Sequence, residues 1–297
     1  MIIIETKRKV NRNEKIRKEI VMDKRILSVQ DISCLGQCSL TVALPIISAC
    51  GVETCILPSA VLSTHTGGFT GFTFRDLTDD IPAIAAHWQK EGITFDGIYT
   101  GYLGSARQID MVKDLFGTVC KKGAAKIVDP AMADHGRLYT GFDLAFAKKM
   151  ATLCAAADIV LPNITEACFM TDTEYRETLT EDYVHALAKK LLAMGVGTVV
   201  LTGIGYEKGM TGVAVYTKDT YSYYPHPIVG GAFHGTGDVF ASAFTGAFMQ
   251  GKTAEEASRI AADFTVLAIQ KTVGDESHKY GVKFEKALYT LAEMFAD

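Results

Sequence analysis

The sequence predicts an α/β fold of three layers, with helices on both faces of a mostly parallel central sheet and a short antiparallel hairpin at one edge. Two observations carry this reading. Short, continuously apolar, β-branched runs alternate with longer amphipathic stretches, the pattern of strands buried beneath helices on both faces. Late in the chain the alternation stops. Two adjacent runs, Gly212–Tyr216 and Tyr221–Tyr224, are separated only by Thr217–Thr220, a spacing suited to a hairpin.

The strand runs are Ile26–Val29, Thr54–Val61, Gly97–Gly101, Lys126–Asp129, Asp158–Leu161 and Thr198–Thr202, each too short for a helix and rich in Ile, Val and Thr. Helical patterns lie between them near 39–50, 78–91, 105–122, 143–157 and 180–194. After the hairpin, three more helices are expected near 236–250, 253–271 and 282–296. No linker, repeat or Pro/Ser-rich boundary interrupts the pattern, so residues 23–297 read as one domain. Residues 1–22 read as a solvated basic arm or a mis-assigned start, because Met22 directly precedes the first strand run.

The chain has 297 residues, 48% hydrophobic and 22% charged, an ordinary globular composition. Residues 1–25 carry nine Lys/Arg and four Asp/Glu, or +5, against a net charge of −4 for the whole, which leaves −9 on the body. An acidic body argues against nucleic acid as a partner. Seven cysteines, an odd number placed mostly in apolar runs, read as small core residues of a reduced, cytoplasmic protein. Cys34 and Cys38 have no second Cys/His pair at zinc-site spacing. The opening residues lack the long apolar core of a secretory signal. The uncharged stretches 32–52 and 54–74 are interrupted by Gly, Ser, Thr, Gln and Pro, so they suit a buried sheet with a pocket rather than a membrane span.

Open α/β sheets bind ligands beyond the carboxyl ends of their strands. The polar residues just after each strand are therefore the candidates: Asp31, Thr64–Gly68, Tyr102–Ser105, Asp129–Asp134, Asn163–Glu166 and Thr202–Gly205. Taken singly, each is also an ordinary turn or cap residue. The strongest local signal is Gly230–Phe240, GGAFHGTGDVF, a glycine-rich loop that opens an apolar helix. The unpaired first amides of a helix, with the positive end of its dipole behind them, form an anion site. Asp238 in that turn is either a favourable N-terminal acid or a base placed where a hydroxyl meets a phosphoryl group. The loop lacks the Walker A pattern, and QDISCLGQCS after the first strand lacks the dinucleotide fingerprint.

The late Gly235-Thr236-Gly237-Asp238 resembles the anion hole and catalytic base of the ribokinase-like superfamily. Four further segments, in the same order, resemble the pyridoxal/pyridoxamine kinases within it: Ser59–Gly67 (SAVLSTHTG), Thr100–Ala106 (TGYLGSA), Asp129-Pro130 with Asp134, and Leu161-Pro162-Asn163 with Glu166. The match runs from about Arg25 to Thr272. It implies a ribokinase-like fold and ATP-dependent phosphorylation of the 5′-hydroxymethyl group of pyridoxal, pyridoxamine or pyridoxine, a vitamin B6 salvage reaction. On this resemblance Asp238 is the base, and the amides of Gly235, Thr236, Gly237 and Asp238 are the anion hole. Glu166 with Asp129 holds Mg²⁺ through water. Asp129, Asp134, Asn163, Thr202 and Gly203 line the ATP side, and Asp31, His65, Thr66, Tyr102 and His234 the ring side. Members often also use a monovalent cation such as K⁺ and form homodimers; no membrane partner is implied.

The chain departs from the family in places. Asp31 stands after Gln30 where the family's commonest form has Ser. A carboxylate there resembles the sugar kinases, and it also suits a protonated pyridine nitrogen or an amine. His234 stands where an apolar residue often touches the ring, and reads equally as a substrate contact or a solvated loop histidine. Hydroxymethylpyrimidine is the rival substrate, although those kinases usually open with A-G-S-D and carry Cys in the late glycine loop, and this chain has neither. A non-catalytic B6-binding protein is a further alternative, disfavoured by the intact Asp238, Glu166 and Asn163. Among the remaining features, Thr64–Thr73 with Phe69 and Phe72 suits a flap over a flat ring. Tyr221–Tyr224 reads as a packed edge strand, Trp88 as packing, and Lys208 and Lys218 as solvated lysines.

Overall fold

A computed structural model describes residues 24–231, 233–278 and 280–296; the basic arm expected over 1–22 lies outside the described residues. Strands β1 (Arg25–Ser33), β2 (Glu53–Leu62), β3 (Phe74–Asp76), β4 (Phe95–Thr100), β5 (Cys120–Val128), β8 (Ile159–Val160), β9 (Thr198–Thr202), β10 (Met210–Tyr216) and β11 (Tyr221–Pro227) form one sheet. Its order is β11-β10-β9-β8-β5-β4-β1-β2-β3. The six strands from β9 to β2 pair in parallel, while β3, β10 and β11 are antiparallel additions at the two edges. A two-residue ribbon, β6 (Ala133–Asp134) with β7 (Arg137–Leu138), stands apart.

Alternate residues of the central strands face opposite cores, as a pleated strand requires. Leu27, Ile98, Val128, Val199 and Leu201 join one buried cluster with α2 (Ile81–Lys90), α3 (Ala106–Thr118), α4 (Leu144–Cys154), α5 (Ile164–Thr171) and α6 (Glu181–Ala193). Ile26, Tyr99, Ile127 and Val200 join the other, with α1 (Leu40–Ala49), α7 (Thr236–Met249), α8 (Ala254–Gln270) and the short α9 (Leu288–Glu293). The helix–sheet–helix layering expected from the sequence is therefore present. None of the described helices is long and apolar enough to cross a membrane.

Four expectations need correction. The helix expected over 105–122 ends at Thr118, because Cys120 pairs beside Phe95 and Lys121 Nζ binds Asp96 at 2.9 Å, which draws this stretch into β5. The helix expected near 282–296 is a 3₁₀ turn, Phe284–Lys286, followed by α9; the Lys283 amide is tied back to Thr272 Oγ1 at 2.8 Å. No helix is expected between 157 and 180, but Asn163 caps and Glu166 opens a helix there, α5, through a reciprocal capping box. The cysteines are less uniform than expected: Cys50, Cys154 and Cys168 are buried, but Cys34 is exposed and the other three are half-buried. Trp88 does pack, with its ring centroid 5.4 Å from that of Phe95. The Tyr221–Tyr224 segment is a packed edge strand, with Tyr223 Oη donating to the Ile204 carbonyl at 3.1 Å.

Helices α1 and α7 run side by side in the same direction. Gly235 lies against Gln37 and Cys38 at their N-terminal ends, and Gly246 against Ile47 and Cys50 at the other. A Cβ on Gly246 would stand 2.5 Å from Cys50 Sγ and 2.8 Å from its Cβ. Gly246→Ala must therefore push the helices apart. Overpacking of this kind costs about 1–3 kcal/mol, and urea unfolding should show a lower midpoint with an unchanged slope.

Candidate active site

The strand connections reverse direction between β1 and β4, and the candidate residues collect at the carboxyl ends there, the expected crevice of an open α/β sheet. Asp31 lies at the end of β1, Tyr102 just after β4, Asp129 just after β5, and Thr202 at the end of β9. Asp238 enters from above, in the first turn of α7.

Gly235 caps α7 in the left-handed conformation at φ 75°, and a Cβ there would collide with the Gln37 carbonyl oxygen. Its carbonyl accepts the Val239 amide at 3.0 Å, which closes the first turn. Thr236 Oγ1 donates to the Phe233 carbonyl at 3.3 Å, and Gly237 is exposed with open space where a Cβ would be. The first-turn amides have no intrahelical partner, and the N-terminus of α1 lies alongside.

Asp238, in this first turn, is half-buried. Burial, then the charges of Asp129 and Asp31, push its carboxyl up to about 8, while the Ser39 amide opposes the shift. Asp31 is 4% exposed. Burial raises its carboxyl, against the pull of the Ser39 and Ser33 hydroxyls, and Ser33 Oγ donates to it at 3.0 Å. The Tyr102 hydroxyl is pushed up to about 12 by burial and by Asp31 and Asp76. Its ring leans on Phe142, centroids 5.4 Å apart.

Asp129 and Glu166 form the second acidic pair. Burial and Glu166 raise Asp129 well above the usual carboxylate range, and the Ala131 amide donates to it at 3.1 Å from a left-handed turn at φ 38°. Glu166 is 2% exposed and is pushed up to about 7 by burial, opposed by backbone amides. Met132 and Asn163 each donate to one of its oxygens at 2.9 Å. Among the described residues no three His, Cys, Asp or Glu side chains gather into a metal cage. A cation at this pair would thus rest on two carboxylates and retained water. Such a sparse site suits magnesium, and a buried carboxyl raised by a neighbouring carboxylate, as Asp129 is by Glu166, is the charge pattern that a cation relieves.

Other expected residues take more specific places. Asn163 spends its amide on Glu166: Oδ1 accepts the Glu166 amide at 2.9 Å and Nδ2 donates to the Ala133 carbonyl at 2.8 Å. Thr202 bridges Asn163, and Gly203 turns the chain at φ 73° with open space beside it. Asp134 is exposed and accepts the His135 amide at 2.8 Å. His65 is buried, with Nε2 at 3.1 Å from the Tyr280 carbonyl. His234 is exposed and packs over Gly67, its ring 5.4 Å from that of His65, while Thr66 beside it is exposed. Phe69 of the expected flap sets its ring edge-on to His65, centroids 5.1 Å apart. Sequence reasoning missed Ser33, whose hydroxyl donates to Asp31, because nothing local marks it. It also missed the Asn163–Glu166 capping box, which the N-x-x-E spacing does announce.

The family model for phosphomethylpyrimidine kinase matches residues 44–283. A Bacteroides thetaiotaomicron structure assigned provisionally as a phosphomethylpyrimidine kinase is 38% identical, superposes with a TM-score of 0.88 and covers 92% of this chain and 95% of its own. A second crystal form of it, with pyridoxal, superposes at 0.86. A pyridoxal kinase structure from Lactobacillus plantarum is 27% identical, with a TM-score of 0.84 over 91% of this chain and 97% of its own. A pyridoxine/pyridoxal/pyridoxamine kinase of Bordetella pertussis is 27% identical over 83% of this chain and 89% of its own length.

The raised Asp238 carboxyl has a stability consequence. Between 3.8 and about 8 the folded protein holds a proton at Asp238 that the unfolded chain has lost, so stability falls as pH rises through that window. Asp238→Asn carries no such cost. Without ligand it should melt above wild type, with a gain that grows from about pH 4 to about pH 8, at roughly 2–4 °C per kcal/mol recovered. Thermal melts across that range test this.

Proposed function

The chain belongs to the phosphomethylpyrimidine kinase family, and from that premise we propose that it transfers the terminal phosphoryl group of ATP to the 5′-hydroxymethyl group of a vitamin B6 compound: pyridoxal, pyridoxamine or pyridoxine. The observation that carries this reading is Asp238. It sits in the first turn of a helix whose neighbour presents its own N-terminus at the same end.

In the proposed reaction the substrate hydroxyl oxygen bonds to the terminal phosphorus, the bond to ADP breaks, and the hydroxyl proton passes to ionised Asp238. The amides of Gly235–Asp238 face the developing phosphoryl charge. The Asp129–Glu166 pair would hold hydrated Mg²⁺, whose chemistry is to neutralise phosphate charge. Thr202 and Gly203 border the nucleotide side, and Asn163 serves it by fixing Glu166. On the substrate side, Asp31 takes a protonated ring nitrogen or amine, and Tyr102 offers its ring. His65, Thr66 and His234 belong to the loop over that side.

A second reading, phosphorylation of hydroxymethylpyrimidine, is favoured by the description of the matching family itself. Against it stand Thr236, where those kinases usually carry Cys, and the His65-Thr66-Gly67 segment. The test is phosphate transfer from ATP to the three B6 compounds, hydroxymethylpyrimidine, ribose and fructose. B6 turnover should exceed the rest, and Asp238→Asn should lose about 10²–10⁴-fold in kcat. Full kcat in that variant removes Asp238 as the base. Sugar turnover above B6 turnover assigns Asp31 to a sugar.

A further inference from the structure

Gln108 is 1% exposed in the first turn of α3, and both ends of its side-chain amide are bonded. A glutamine at this third helical position ordinarily reaches back to the amide of the N-cap, here Ser105. This one reaches a residue further. Its Oε1 accepts the Gly104 amide at 2.7 Å, while Ser105 Oγ accepts the Gln108 main-chain amide at 3.3 Å. At the other end, Nε2 donates to the Ser59 carbonyl of β2 at 3.0 Å and to Thr78 Oγ1 at 2.8 Å, with Asp76 Oδ1 at 3.3 Å. An amide supplies an acceptor at one end and two donors at the other, which neither a carboxylate nor an apolar side chain does.

The segments joined here flank the ring side of the proposed site. Ser59 Oγ donates to the Tyr102 carbonyl at 3.3 Å, which bonds β2 to the loop after β4 a second time. The edge strand β3 has three exposed residues and lies outside both apolar cores. Its far end is therefore fixed by polar bonds: the Leu77 amide to the Ser59 carbonyl at 3.1 Å, the Thr78 amide to Asp76 Oδ1 at 2.8 Å, and Gln108 itself. Its near end closes the 64–73 loop, where the Ser63 amide donates to the Thr73 carbonyl at 3.2 Å and the Thr73 amide to Ser63 Oγ at 2.9 Å. A Cβ on Gly104 would meet Gln108 Oε1 at 3.7 Å and both Phe74 Cζ and Tyr102 Cε1 at 3.8 Å, so these segments converge at one point. Resting on the kinase reading above, we propose that Gln108 is a positioning residue: its buried amide locks the Tyr102–Ser105 loop to the foot of the 64–73 loop, so that Tyr102 and the loop over the ring keep one spacing. A fully bonded buried polar network specifies a single arrangement in this way.

Gln108→Met keeps the length and removes every side-chain bond, and Thr78→Val removes the hydroxyl at the far end. Measured where all variants are folded, each should raise the KM for pyridoxal about tenfold, within what a misplacement of about 1 Å costs. The KM for ATP should be unchanged and kcat within about threefold of wild type. The double variant should rise no further than Gln108→Met, because both changes break one network. Thr78→Ser keeps the hydroxyl and should match wild type. If Gln108→Met does not fold, Thr78→Val against Thr78→Ser carries the test. An unchanged pyridoxal KM, an equal rise in the KM for ATP, or multiplying effects in the double variant overturns the proposal, since a merely structural role lowers the melting temperature alone. Wild type that phosphorylates none of the candidate substrates removes the kinase reading instead. Hydrogen exchange without ligand then decides the tie. In Gln108→Met the Thr73, Leu77 and Thr78 amides, none of which bonds Gln108, should exchange about tenfold faster; unchanged exchange there overturns it.

Discussion

Two helices lie side by side with their N-termini at the same end of the sheet, together with three buried carboxylates and a half-buried fourth. Everything at this end depends on that balance. Asp31, Asp129, Glu166 and Asp238 raise one another's affinity for protons or are raised by burial. Without compensation, ionising several of them at neutral pH would be prohibitive. Backbone amides supply much of the compensation: Ala131 on Asp129, and Met132 and Asn163 on Glu166. The net charge of −9 on the body is therefore a poor guide to which ligands the site accepts. The local field is set by amides and helix ends, which composition does not count.

The loops that close the site are coupled to one another through glycines. Gly36 leaves room for the His65 ring, Gly67 for the His234 ring, and Gly235 and Gly281 for Gln37. His65 and Gln37 both bond to the Tyr280 carbonyl. The loop carrying His65 and Gly67, the loop carrying His234 and Gly235, and the segment before α1 thus share their supports, and a bulky residue at any of these glycines disturbs all three. Pre-organisation of this kind lets small displacements matter, since a site must be held to within about 0.5 Å.

The same design is costly for stability. A half-buried Asp238, a fully enclosed Asp129–Glu166 pair, and left-handed turns at Ser39 and Ala131 all break rules that a protein selected only for stability would keep. They concentrate where ligand charge and helix ends meet, and away from that end the sheet and its two apolar cores are regular.

The sequence by itself determined the layered α/β architecture, because apolar runs of strand length alternating with amphipathic stretches have few other solutions. It also singled out Asp31, Tyr102, Asp129, Asn163, Glu166, Thr202 and Asp238 as polar residues at strand ends or helix starts, and that is where the fold places them, because such residues follow short apolar runs or open helices. What only the tertiary structure decided is how these residues are used. The Asn163 amide is spent on Glu166 and Ala133, and the His65 imidazole on Tyr280. The helix expected through residue 122 yields to strand pairing opposite Phe95. The physical reason is the same in each case. Periodicity and turn chemistry act within a few residues, whereas burial, field and close backbone approach join segments as distant as Gln37, Gly235 and Gly281.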